Sequence, residues 1–75
     1  MLDVTVVTPE KVIFEGKAKS IILPGEQGVF ELLPYHKPLL SRLVSGKLLI
    51  DKSAFSIRRG IVGINHNKAT IIIEE

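Results

Sequence analysis

The stretch Leu2-Asp3-Val4-Thr5-Val6-Val7-Thr8-Pro9-Glu10-Lys11-Val12-Ile13-Phe14-Glu15-Gly16 decides the fold class. Leu2, Val4 and Val6 alternate with Asp3 and Thr5, and a period of two puts apolar side chains on one side of an extended strand. Thr8-Pro9-Glu10 interrupts, because proline has no N–H to give to a ladder. Val12 and Phe14 then alternate with Lys11, Ile13 and Glu15, and Gly16 reads as a turn. This is a strand, a break and a second strand, with the period of a sheet rather than the 3.6 of a helix.

The same grammar runs on toward the other end. Ala18, Ser20 and Ile22 oppose Lys19, Ile21 and Leu23, and Pro24-Gly25-Glu26-Gln27-Gly28 is a dense run of turn residues. Val29 to Leu33 reads as a short strand closed by Pro34. Lys47 to Asp51 and Ala54 to Arg58 read as a hairpin around Lys52-Ser53. Ile61, Val62 and Ile64 follow Gly60. Asn65-His66-Asn67-Lys68 is a polar turn whose asparagines tolerate left-handed backbone angles, and Ala69 to Ile73 makes the last strand. Pro38 to Val44 stays open: apolar residues at 39, 40, 43 and 44 also suit a helical turn, though Ser45-Gly46 limits it to about two turns. Short strands separated by turn signals indicate an all-β sandwich or barrel, with 1–75 as a single domain.

Composition narrows the function. Hydrophobic residues are 45% of the 75 but aromatics only 5%, so the core has to be aliphatic. At this length folding buries only about 60% of the unfolded surface, so stability is expected to be modest. There is no cysteine, which removes disulfides and thiolate metal sites. The net charge is +2, and only Arg58-Arg59 are adjacent basic residues; that is too diffuse for a nucleic-acid footprint. Arg58-Arg59 reads as a solvated strand edge rather than a phosphate site. The sequence after Met1 lacks a basic, apolar leader pattern, so the chain is expected to be soluble and intracellular unless a partner carries it to a membrane.

No constellation for catalysis assembles. His36 and His66 are the only histidines, without ligands at metal spacing. Gly16-Lys17 and Gly46-Lys47 lack the upstream glycine and the hydroxyl of a phosphate-binding loop. No nucleophile elbow exists. Neither a catalytic site, nor a cofactor, nor a metal is expected.

A longer stretch carries a family resemblance: Leu23-Pro24-Gly25-Glu26-Gln27-Gly28-Val29-Phe30-Glu31-Leu32-Leu33-Pro34-Tyr35-His36-Lys37-Pro38-Leu39-Leu40. It is similar to the part of ATP synthase epsilon subunits that reads Leu-Pro-Gly, Glu, any residue, Gly, and then Leu-Pro-Gly-His-x-Pro-Leu-Leu. Upstream, Thr8-Pro9-Glu10 and Phe14-Glu15-Gly16 resemble the family's Thr-Pro-Glu and Phe-x-Gly corner. Downstream, Ser45-Gly46-Lys47-Leu48-Leu49-Ile50 and the last two strands, Gly60 to Ile64 and Asn67 to Ile73, also match, so the likeness covers essentially the whole chain.

The resemblance implies a flattened β-sandwich of about ten short strands. It also implies a non-catalytic central-stalk subunit of a rotary proton-translocating ATP synthase, coupling the gamma subunit to the c subunits of the membrane rotor ring. The location implied is peripheral, at the cytoplasmic face of the plasma membrane. The contacts expected to face gamma or the ring are Val29, Glu31, Leu33, Pro34, Tyr35, His36, Pro38, Leu39 and Leu40. Phe30 and Leu32 would share the core face.

Two departures from the family bear on this surface. Val29 stands where members often carry an acid, and Glu31, two residues on and on the same strand face, is positioned to restore the charge. Tyr35 replaces a glycine, so that turn either needs no positive φ or is strained. Typical members also continue into two C-terminal helices to which inhibition and nucleotide sensing are attributed, and neither role transfers to these residues. The alternative from another class is a lipoyl- or biotinyl-type carrier modified at Lys52, since Asp51-Lys52-Ser53 sits at a hairpin tip; the glycine-rich segments of such carriers are missing.

Overall fold

The computed structural model describes residues 1–75. Nine strands form: β1 (Leu2–Val7), β2 (Val12–Ala18), β3 (Ile21–Gly25), β4 (Gly28–Leu32), β5 (Leu39–Leu43), β6 (Gly46–Ile50), β7 (Ser53–Ile57), β8 (Arg59–Asn65) and β9 (Lys68–Glu74). They hydrogen-bond as one sheet in the order β2-β1-β9-β8-β5-β3-β6-β7, with β4 on the free side of β3. All pairings are antiparallel except β1 with β9.

The sheet becomes a sandwich at β3. One edge of β3 serves two neighbours: Ile21 and Ile22 pair with β6, whereas only Gly25 pairs with β5. At that single-residue joint the ladder turns a corner. Strands β2-β1-β9-β8-β5 form one layer and β4-β3-β6-β7 the other. Gly25 has no room for a side chain, because a Cβ there would lie 2.7 Å from the Phe30 ring. Between the layers lie sixteen buried residues, all aliphatic, including Leu2, Val4, Val6, Val62 and Ile71 from the first layer and Ile21, Leu23, Leu32, Leu48 and Ile50 from the second. On the open side the terminal strands meet: the rings of Phe14 on β2 and Phe55 on β7 pack edge to face, 6.1 Å between centroids.

The aliphatic all-β sandwich matches the sequence-based expectation, with nine strands rather than about ten. Pro38 to Val44 contains a strand and no helix; its outer edge is taken by β8, so the backbone is satisfied by a ladder. Gly16 is no turn. It lies within β2 opposite Val4, with the Phe14 ring lying beside it. Nor does β2 keep strict alternation. Val6 pairs with Phe14 but Val7 with Val12, so Ile13 is a bulge residue and Val12 turns out to solvent. The chain breaks at Lys19-Ser20 instead. There the Asp51 carboxylate accepts from the Lys19 amide (3.1 and 3.2 Å) and from the Ser20 amide (3.1 Å). The β6–β7 loop is accordingly Asp51-Lys52, one residue earlier than expected, with Asp51 in the left-handed region at φ 49°.

Candidate docking surface

Strand β4 exposes alternate residues, as a period of two requires. Val29, Glu31 and Leu33 face solvent, Leu32 is fully buried, and Phe30 packs against the core. Beyond β4 the chain turns, with His36 N donating to Leu33 O (3.3 Å). Tyr35 has φ 67° and is 87% exposed. A bulky residue rarely holds this backbone region, because its Cβ crowds the following carbonyl.

What holds it is a residue far away in sequence. Tyr35 N donates to Asn67 Oδ1 at 2.6 Å. Asn67 sits in the two-residue β8–β9 loop, where His66 (φ 50°) and Asn67 (φ 61°) are both left-handed, as a type I′ hairpin turn requires. The Asn67 carbonyl accepts from Asp3 N (2.7 Å). One asparagine therefore joins the loop before β5, the β8–β9 turn and the start of β1. His36 Nδ1 donates to Lys37 O (2.7 Å), which places a proton on that nitrogen.

The nine residues singled out from the sequence do not form one cluster. Val29 and Leu33 are four residues apart, about 13 Å along an extended chain, so the set is a stripe down β4 ending in a tip at Tyr35 and His36. Pro34 is half-buried, and Pro38 is exposed. Leu39 pairs with Ile64 and packs on the core, whereas Leu40, opposite Gly63, is 78% exposed. Between Pro38, Leu40, Gly63, His66 and Lys68 runs an open groove of about 760 Å³. Sequence reasoning missed His66, Asn67 and Lys68 as members of this tip. Their left-handed turn was visible, but its proximity to Tyr35 is a property of the sandwich.

A second surface is an exposed apolar patch on the first layer. The register places it. Arg42 pairs with Ile61, Ile61 with Ile72, Ile72 with Val7 and Val7 with Val12. Paired residues share a face, so Ile61, Ile72, Val7 and Val12 form an apolar row across the outer side of the first layer. All but half-buried Val7 are exposed.

Arg58-Arg59 is not at a sheet edge. Strand β8 lies between β9 and β5, Arg59 forms a two-pronged ion pair with Glu74, and Arg58 N donates to Glu74 O (2.8 Å). The hydrogen bond from Arg59, joined by the charges of Arg59 and Arg58, holds the Glu74 carboxyl below the usual carboxylate range, and Glu74 raises Arg59 in turn. No three His, Asp or Glu side chains gather as a metal site. Lys52 is exposed beside Asp51, whose carboxylate is committed to backbone amides; nothing in this arrangement or in the comparisons below supports a carrier role.

Comparison with known proteins agrees with the geometry. Residues 1–75 match the family model described as the ATP synthase Delta/Epsilon chain beta-sandwich domain. Proteins named ATP synthase epsilon chain from Chlorobaculum tepidum and Chlorobium limicola are 43% and 41% identical over 93% of this chain and 85% of their own length. That of Nitratiruptor is 41% identical over 97% of this chain, which spans 60% of that relative. Among solved structures, the Euglena gracilis mitochondrial ATP synthase contains a chain that superposes with TM-score 0.91 at 17% identity, covering 99% of this chain and 51% of that one. A chain in the central stalk and c-ring structure of the Tetrahymena thermophila enzyme gives 0.80 at 20% identity, covering 99% and 63%. At such identities the likeness is one of fold. The match to the family over every residue, on a chain that folds as a β-sandwich, makes this chain a member of the ATP synthase Delta/Epsilon chain beta-sandwich domain family.

Proposed function

We propose that these 75 residues act as one non-catalytic unit of the central stalk of a rotary, proton-translocating ATP synthase, fastening the gamma subunit to the c subunits of the rotor ring. The observation that carries this reading is the family match across the whole chain. The build of the molecule supports it. Torque passes through a body only if the body is stiff, and a close-packed aliphatic interior resists deformation. A coupling element also needs more than one contact surface, and the apolar row and the β4 stripe with its tip offer two. In this reading the protein sits peripherally at the cytoplasmic face of the plasma membrane, held there through its partners.

The test is a pull-down with the gamma subunit and rotor ring from the same source. Both should be retained, and failure to retain either defeats the proposal. Glu31, outward on β4, is assigned to the ring contact. Charge reversal Glu31→Lys should weaken ring retention and leave gamma retention intact, whereas unchanged ring retention removes Glu31 from that role.

A further inference from the structure

Strands β2, β4 and β7 each pair on one side only, so the sandwich has three edges with unpaired backbone groups. Two of these edges carry features that discourage a further strand. Strand β2 is bulged at Ile13 and holds Glu15 and Lys17, and β4 holds Glu31. Strand β7 reads Ser53-Ala54-Phe55-Ser56-Ile57, without a charge, a proline, a glycine or a bulge. Its two-residue loop to β6 closes on Ile50 and Ser53, and tight hairpins close on a hydrogen-bonded pair. Alternation along an antiparallel ladder then directs the N–H and C=O groups of Ser53, Phe55 and Ile57 to β6, and those of Ala54 and Ser56 outward. No turn or loop elsewhere in the molecule takes up these outward groups.

The surroundings give this edge a chemistry. Lys52 precedes β7, Arg58 follows it, and Lys47 lies opposite Ser56 on β6; all three are exposed. The ion pairs of Lys17 with Asp3 and of Arg59 with Glu74 use none of them. The carboxylates nearby are engaged. Asp51 accepts from the Lys19 and Ser20 amides, and Glu74, which also feels the charge of Arg58, is bound by Arg59. Beside β7 the seam between the two layers is incompletely covered. Phe14 and Phe55 meet there and stay half-buried. A cavity of about 490 Å³, lined by Phe14, Ile50, Lys52 and Ser53 among others, opens at the start of the strand.

We propose that the free edge of β7 receives an extended, acid-flanked segment of a partner protein as an added strand. The outward groups of Ala54 and Ser56 hold its main chain, carboxylates at its two ends meet Lys52 and Arg58, and an inward side chain covers Phe14 and Phe55. The same charges argue against a second copy of this chain as the occupant. Paired antiparallel about Phe55, two β7 edges set Lys52 of each copy opposite Arg58 of the other. Paired parallel, they set each cation beside its own counterpart. Either way like charges face each other across the new ladder, which destabilises it. The edge is separate from the residues assigned to gamma and the rotor ring, so the proposal stands or falls apart from the stalk reading.

The experiment titrates the isotope-labelled chain with two synthetic peptides, Glu-Glu-Val-Thr-Val-Thr-Val-Glu-Glu and Lys-Lys-Val-Thr-Val-Thr-Val-Lys-Lys, and follows amide hydrogen exchange residue by residue. The acidic peptide should slow exchange at Ala54 and Ser56 at least tenfold. It should bind at least tenfold tighter than the basic one at about 50 mM salt, with that preference shrinking severalfold at about 500 mM. Ala54→Pro removes an outward N–H and spares the ladder to β6; it should weaken binding of the acidic peptide at least tenfold. Lys52→Glu combined with Arg58→Glu should reverse the preference between the peptides, a result that loss of the fold cannot imitate. Equal binding of the two peptides, protection confined to other strands, or full binding by Ala54→Pro would overturn the proposal. So would protection of Ala54 and Ser56 that grows with chain concentration in the absence of peptide, since that is self-pairing.

Discussion

At the scale of single residues, two positions show backbone geometry ruling over side-chain chemistry. Tyr35 occupies a left-handed conformation that costs a non-glycine residue about 1–2 kcal/mol, and its ring is almost wholly in water, so little burial offsets that cost. Tyr35→Gly is therefore expected to stabilise the fold by about 0.5–1 kcal/mol in urea unfolding, after allowing for the extra freedom glycine gives the unfolded chain. Gly60 is the opposite case. A Cβ there would lie 2.5 Å from the Ile72 carbonyl oxygen, across the β8–β9 ladder. Gly60→Ala should push those strands apart and cost at least about 2 kcal/mol in the same assay. The sequence posed the question at Tyr35, since glycine is the family's choice there, but not its answer: the acceptor that holds the turn is 32 residues away. Gly60 gave no sign of its crowding, because a close approach between backbones leaves no mark in the residues around it.

Among the elements, the hydrogen bonds that matter most lie where strands stop. The Asp51 carboxylate ends β2, starts β3 and tightens the β6–β7 loop. Asp51→Ala should destabilise by about 1–3 kcal/mol, by leaving two amides without their acceptor and placing alanine in the left-handed region. Asp51→Asn, which keeps Oδ1 and tolerates that region, should cost less. The Arg59–Glu74 pair joins β8 and β9, with side chains 75% and 41% exposed. Its carboxyl is held below the ordinary value in the folded chain. The stabilisation is thus present above the unfolded carboxyl pKa of about 4.3 and fades as the pH falls through the lower folded value. The melting temperature of the native chain should exceed that of Glu74→Gln slightly at pH 7 in low salt, and the gap should close near pH 3 or in high salt. Strand existence was legible almost throughout, because period-two alternation depends only on local chain geometry. Boundaries slipped at Gly16, Lys19 and Asp51, where a bulge and a distant carboxylate, rather than local turn chemistry, fix the break. Pro38 to Val44 was ambiguous because its apolar spacing suits both periods, and pairing with β8 decided the matter.

For the molecule as a whole, the outer row of Ile61, Ile72, Val7 and Val12 is the feature at odds with a free existence in water. Monomers tolerate such patches chiefly where something covers them. Ile61→Ser with Ile72→Ser should reduce self-association of the isolated chain at high concentration, measured by sedimentation velocity, and should weaken retention of the stalk partner that covers this face. A double variant equal to the native chain in both respects would leave the row without a role. The aliphatic character of the core was readable from composition, and the outward stripe on β4 from alternation. The row was not, since its members come from four strands that only the register aligns.

One pairing described above sets an order of events for the chain. Strand β1 is hydrogen-bonded alongside β9, its partner from the far end of the sandwich sequence, and β9 lies between β1 and β8 in the middle of its layer. During synthesis β1 waits for β9, while the second layer and the β5–β8 pair can form earlier. Loop closure across nearly the whole sandwich makes folding slow for so small a domain. Until β9 has left the ribosome, the exposed edges of β1 and β8 are the places where a nascent chain would be captured by a chaperone or by another copy.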